Sequence, residues 1–142
     1  MPAKPCVFCA IVLGEHPAHT ILDSPYVTVF LDRAPLFHGH CLIVPRIHYA
    51  TLLDVPADGV GPLFATAQVI ARALETALGA EGTFVAVNNK ISQSVPHLHI
   101  HVVPRRKGDG LFARGMVWKR EPYASKEAMA EMAGRLKRLV GA

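Results

Sequence analysis

Cysteine, aromatic residues, like-charge blocks and long apolar runs are all scarce here. Of 142 residues only 3 are cysteine, 7% are aromatic and 18% are charged. Three thiols cannot all pair with one another, so burial or metal binding is a better use for them than a disulfide framework. No apolar run approaches the roughly 20 residues a membrane-spanning helix needs, and Met1-Pro2-Ala3-Lys4-Pro5 lacks the apolar stretch of a secretory leader. The expectation is a soluble, cytoplasmic protein with no membrane partner. Lys and Arg number 15 against 11 Asp and Glu, a formal charge of +4. That excess suits an anionic small molecule and is too weak to imply a stable nucleic-acid partner. Part of it is local, in Arg105-Arg106-Lys107.

What is present is core-forming material. Hydrophobic residues make up 51% of the chain, and a chain of this length buries roughly 68–70% of its unfolded surface. No repeat or linker divides it, so a single domain over residues 1–142 is expected. Cys6 to Leu13 reads as a short helix, and Thr20 to Asp23 and Tyr26 to Asp32 as β segments. After the break at Pro35, His40 to Val44 resumes as a strand stopped by Pro45. The long helix runs from about Asp58 to Leu78, its apolar positions Val60, Leu63, Phe64, Ala67, Ile70, Ala71, Leu74 and Leu78 following the 3.6 period, with Gly79 placed as a C-cap. Thr83 to Asn88 and His97 to Val103 are two further strands, the second closed by Pro104. Ser125 to Val140 is a C-terminal helix with Ser125 as N-cap and Met129, Met132, Leu136 and Leu139 on one side. Five strands, short connections and two interspersed helices predict an α+β fold: an antiparallel five-stranded sheet packed with one long helix and a C-terminal helix.

The chemistry concentrates in Gln93-Ser94-Val95-Pro96-His97-Leu98-His99-Ile100-His101. Histidine alternates with branched apolar residues, so on a strand the three imidazoles share one face while Leu98, Ile100 and Val102 face the core. A single metal held by all three is disfavoured. Same-face neighbours lie about 6.5–7 Å apart and the outer pair about 13 Å, whereas a zinc-bound nitrogen sits roughly 2.0–2.1 Å from the ion. A neutral imidazole in the middle of such a row is instead a competent nucleophile toward phosphorus. A neighbouring histidine supplies a proton donor, and Ser94 with nearby backbone N–H groups offers donors to phosphate oxygens.

This stretch resembles the signature of the histidine-triad (HIT) superfamily, three histidines alternating with apolar residues after glutamine and serine or threonine. The resemblance extends over residues 5 to 106: Phe8-Cys9-Ala10-Ile11 with Gly14-Glu15 and Pro17-Ala18, then Phe30 to Pro35, Gly39-His40, Leu42 to Pro45 and His48 occur in family order. It implies that His99 attacks the α-phosphorus of a purine nucleotide and passes through a nucleotidyl-histidine intermediate. His101 would assist the leaving group, His97 would shape the site, and Gln93 would lie near the scissile bond. Ser94 and Asn88 would contact phosphate, Asp32 would accept ribose hydroxyls, and Phe8, Ile11 and Phe30 would wall the base. One departure stands out. Asn89-Lys90-Ile91-Ser92 lacks the glycine many relatives carry before the glutamine. His38-Gly39-His40 is explained most cheaply as a turn entering a strand.

Cys6 and Cys9 form a Cys-x-x-Cys pair, which supplies two ligands where structural zinc wants four. In similar bacterial histidine-triad proteins His48 and His97 complete the set, which implies one structural zinc per chain. Cys41 reads as a small buried residue. The expected function is a nucleoside phosphoramidate or dinucleoside polyphosphate hydrolase or transferase. The alternatives are a dinucleoside polyphosphate phosphorylase, a nucleotide-binding regulatory module with little catalysis, and a polynucleotide-end processing enzyme. The resemblance also implies a two-fold homodimer, and it puts substrate choice in residues 111 to 142. There Trp118 either lines a neighbouring site or fills an apolar gap.

Overall fold

The computed structural model of the protein describes residues 5–140. Met1 to Lys4, read above for the lack of a leader, lie outside the described residues, as do residues 141 and 142. In chain order the elements are α1 (Val7–Val12), β1 (Thr20–Asp23), β2 (Val27–Leu31), β3 (Cys41–Pro45), a 3₁₀ turn (Leu52–Asp54), α2 (Ala57–Leu78), β4 (Gly82–Val87), β5 (Ile100–Arg105) and α3 (Lys126–Val140). The five strands form one antiparallel sheet in the order β1-β2-β3-β5-β4. The expected fold class is therefore the one observed.

Alternation along the strands divides the sheet between two apolar layers. Val29, Leu31, Cys41, Ile43, Leu98, Ile100 and Val102 join one core cluster with α2 and α3, whereas Phe30, Leu42 and Val44 pack against Phe8 of α1. Because both faces are covered there, β2 and β3 are buried at every position, and Thr28 is the one polar residue in an otherwise apolar pair of strands. On α2 the residues Leu63, Ala67, Ile70 and Leu74 are buried at helical spacing, and each large side chain contributes roughly 1.5–3 kcal/mol by leaving water. Gly79 ends that helix at φ 64°, donating its N–H to Glu75 O at 2.9 Å, a conformation glycine adopts without steric cost. On α3 Ser125 Oγ accepts from Ala128 N at 3.0 Å, as its N-cap role requires. Leu139 differs from expectation: it is exposed, and Val140 packs on the core instead.

The ends of β2, β3 and β4 differ from expectation by one residue, and those of β5 by more. β5 begins at Ile100 rather than His97: its ladder with β3 ends at the Ile43↔Ile100 pair, and Leu98 N–H donates to Tyr49 O in a loop instead. At its other end β5 runs through Pro104, beyond the last pair with β3 at Cys41↔Val102. No ladder partner is there on the β3 side to miss the proline's absent N–H. Among the described residues no helix is long and apolar enough to cross a membrane.

Candidate functional site

The sheet face opposite α2 carries the histidines. Leu42, paired with His101 across the strands, belongs to the α1 cluster, while Val103 belongs to a second patch with Leu36 and Leu111. The imidazoles lie between these two apolar caps. His97 and His99 sit in the extended approach to β5 and His101 lies within it, yet the alternation holds, with Leu98, Ile100 and Val102 wholly buried on the other face.

Backbone partners decide which nitrogen of each ring carries the proton. His99 Nδ1–H donates to His97 O at 2.8 Å, which leaves Nε2 with its lone pair. Burial, countered by that carbonyl and by the Asp32 charge, lowers its pKa and keeps the ring neutral. Its edge meets Phe8 with centroids 5.1 Å apart, and His101 lies 4.9 Å away. On the far side Leu36 N–H donates to His40 Nδ1 at 3.0 Å. Burial foremost, with the His101 charge next, pushes the His40 pKa down to about 3. A neutral imidazole accepting at Nδ1 carries its proton on Nε2, so His40 Nε2–H donates to His101 Nδ1 at 2.9 Å. His101, held down to about 4 by burial, His99 and Arg120, must then carry its own proton on Nε2. The result is a bare nucleophilic nitrogen on His99 beside a neutral N–H donor on His101.

His97 is used differently. Its Nε2–H donates to Pro45 O at 2.9 Å, which turns the Nδ1 lone pair toward Cys6 Sγ at 3.3 Å and Cys9 Sγ at 3.5 Å. Cys9 Sγ also lies 3.2 Å from His48 Nδ1. The four ligand atoms of Cys6, Cys9, His48 and His97 fall within 4.8 Å of one another. Tetrahedral zinc with ordinary Zn–S and Zn–N bonds places its ligands roughly 3.3–3.8 Å apart, so the donor set fits such an ion. A carbonyl behind a ligating histidine is also the usual supporting contact. The metal would tie α1 to the sheet.

Asp32, His40 and His101 also converge within 4.8 Å, but the proton count works against a metal there. With Leu36 N–H aimed at Nδ1, His40 presents a hydrogen rather than a lone pair at Nε2.

Other expected residues take varied places. Asp32 Oδ1 accepts from Ala34 N at 2.9 Å, and Oδ2 lies 3.6 Å from His40 Nε2. Phe8 and Phe30 are buried edge to face at 5.4 Å, with Ile11 packed against them. Gln93 is a staple: its Oε1 accepts from Lys90 N at 2.8 Å and its Nε2 donates to Ala50 O at 2.6 Å and Val95 O at 3.0 Å. Lys90 and Ser92 adopt positive φ of 71° and 61°, so the glycine-free turn still uses the left-handed region. Asn88 Nδ2 donates to Ser92 O within this turn, and Ser94 is exposed beside it. Arg105 pairs with Asp109 at 2.6 Å, and Arg106 caps the carbonyls of Leu78 and Gly79, so these two cations serve the fold. Trp118 packs edge-on against Phe84 and Phe112 and donates to Leu111 O. It stays 46% exposed, so it lies over an apolar surface rather than filling a gap. Cys41 is fully buried, as expected.

His40 is the residue sequence reasoning missed. The available signal was parity: His40, Leu42 and Val44 alternate onto the face that carries the triad.

A family model described as the HIT domain matches residues 13–108. The chain is 40% identical over 121 residues to the uncharacterized HIT-like protein Rv1262c of Mycobacterium tuberculosis, covering 83% of this chain and 84% of that one. It is 35% identical over 125 residues to Adenylylsulfatase HINT3 of Arabidopsis thaliana, covering 87% of this chain and 64% of that protein. The crystal structure of a Zn-bound histidine triad family protein from Mycobacterium smegmatis superposes with a TM-score of 0.81 at 36% identity, covering 96% and 93% of the two chains.

Proposed function

The chain belongs to the HIT domain family, and on that premise we propose that it is a nucleotide hydrolase or transferase, one domain over residues 1–142, that cleaves a phosphoramidate or phosphoanhydride bond at the α-phosphorus of a purine nucleotide. The observation that carries this reading is the fixed tautomer of His99, whose Nδ1–H is held by His97 O at 2.8 Å. In the first step His99 Nε2 forms a P–N bond as the bond to the leaving group breaks. His101 Nε2–H, backed by His40, donates a hydrogen bond to the departing group or a non-bridging oxygen without giving up its proton. The leaving group therefore departs either as a stable anion, as from a phosphoanhydride, or, from a phosphoramidate, as a neutral amine whose nitrogen takes a proton from solvent as the P–N bond to it breaks. Water then attacks the phosphorus, the P–N bond breaks, His99 recovers its lone pair and the released proton passes to solvent. Phosphate or a second nucleotide in place of water makes the same site a phosphorylase or transferase.

Asp32 would accept ribose hydroxyls, Phe8, Ile11 and Phe30 would wall the base, and Ser94, Asn88 and the turn amides would meet phosphate oxygens. Gln93 would act by holding that turn rather than by touching the bond. Cys6, Cys9, His48 and His97 would hold one structural zinc, a reading supported by the zinc-bound relative. A cytoplasmic two-fold homodimer completes the proposal, with α2 and the β4 edge as its interface; Val85 on β4 is 40% exposed there.

The test is to incubate the protein with adenosine phosphoramidates and diadenosine polyphosphates, with and without phosphate, and to quench turnover for intact-mass analysis. The wild type is expected to show a nucleotidyl adduct. His99→Ala is expected to show none and to lose about 10³-fold or more in kcat/KM. A folded His99→Ala protein with full turnover would contradict the reading, and nucleotide binding without turnover of any substrate would leave a binding module in its place.

A further inference from the structure

The C-terminal segment reaches the site outside the stretch that matches the family model. Residues 120 to 123 grip the 32–40 turn at several points. Glu121 N donates to Pro35 O at 2.7 Å, Gly39 N donates to Tyr123 Oη at 2.8 Å, and the His38 ring stacks on Tyr123 at 4.4 Å. The turn also runs close against α2, since at Gly39, with φ +103°, a Cβ would come within 2.6 Å of Leu78 Cδ1. Its two ends carry Asp32 and His40.

Arg120 is the charged member of this latch. Its Nη1 donates to Ala34 O at 2.9 Å and stands 3.5 Å from Asp32 Oδ2. The carboxylate is 14% exposed against 52% for the arginine side chain. Oδ1 is occupied by Ala34 N–H, whereas Oδ2 accepts no hydrogen bond among the described residues. The neighbouring His40 Nε2–H is directed to His101. Oδ2 thus keeps lone pairs free beside a cation that the backbone anchors. Unlike a mobile surface pair, this arginine pays little further ordering entropy to hold its partner.

On the reading that Asp32 accepts sugar hydroxyls, we infer that Arg120 is a specificity-determining positioning residue that keeps the Asp32 carboxylate charged and aimed at the sugar, so that the site distinguishes ribonucleotides from 2′-deoxyribonucleotides. Burial foremost raises the Asp32 pKa, and the Ala34 N–H and the Arg120 charge act against that rise.

Equilibrium binding of AMP and 2′-deoxy-AMP to the intact protein tests this without relying on turnover. Wild type is expected to prefer AMP. Arg120→Ala is expected to lose about tenfold of that preference, the scale of one charge-assisted hydrogen bond, chiefly through weaker AMP binding, and Arg120→Lys to restore part of it. Asp32→Asn is expected to lose the preference as well, with no further loss on adding Arg120→Ala. An unchanged ratio in Arg120→Ala where Asp32→Asn has lost it overturns the role of Arg120 and leaves the sugar-binding role of Asp32 standing. Equal weakening of both ligands by Arg120→Ala also overturns it, because a latch that is only structural predicts that result. A wild type without preference, unaltered by Asp32→Asn, removes the reading of Asp32 itself.

Discussion

Two histidine clusters flank the same strand and are built in opposite ways. Around Cys6, Cys9, His48 and His97 the supporting backbone group is a carbonyl, Pro45 O, so His97 offers a lone pair to whatever the sulfurs share. Around Asp32, His40 and His101 it is an amide, Leu36 N–H, so each imidazole offers a proton to the next. Residue type and convergence alone would nominate both clusters as metal sites. The direction of a single backbone dipole behind each ring separates a ligand set from a hydrogen-bond relay. His97 belongs to both halves, since its ring faces the thiols while its carbonyl orients His99.

Removing the thiols sharpens that comparison most. Replacing Cys6 and Cys9 with serine should abolish stoichiometric zinc in metal analysis and lower the melting temperature by roughly 10 °C, as loss of a ligand-coupled fold element does. Activity should fall less, by about 10–100-fold, the usual scale for a group acting through another. Equal zinc content in that variant would sink the metal assignment. The opposite cluster should behave in the opposite sense. His40→Ala strips partners from Leu36 N–H and His101 Nδ1 and should cost about 1–3 kcal/mol in denaturant unfolding. It should leave zinc content intact and reduce kcat/KM by roughly 10–100-fold. Loss of metal from that variant would mean the two clusters are not separable.

The comparison also extends to pH dependence. The folded pKa values of His40 and His101, about 3 and about 4, lie below the ordinary 6.5. The folded state therefore binds fewer protons than the unfolded chain between these values, and stability rises with pH there. This contribution is complete above about 6.5 and is lost as pH falls toward 4 and then 3. His40→Ala should show a shallower slope over that window in unfolding experiments. An unchanged slope would place the proton-linked stability elsewhere.

Much of this was legible in the chain itself. Alternating His97, His99 and His101 against Leu98, Ile100 and Val102 gave both the site face and the core face, and the period of α2 gave its buried stripe. The Cys-x-x-Cys pair needed His48 and His97 from distant segments, and the family resemblance supplied them. What could not be read was decided by contacts across the sheet. His40 looks like a turn residue until the Leu42↔His101 register brings it beside His101. Gln93 looks free to meet substrate until its amide is seen bound to Lys90 N at one end and, at the other, to Ala50 O in the loop after β3. Arg120 carries no local pattern at all; only the folding-back of residues 120 to 123 puts it at Asp32.

Side-chain ¹H–¹⁵N correlation spectra of the zinc-loaded protein at neutral pH bear most directly on the assignment of tautomers from which the chemistry follows. His99 should carry its proton on Nδ1, and His40 and His101 on Nε2, all three uncharged. A His101 ring protonated on Nδ1, or carrying two protons at that pH, would contradict it.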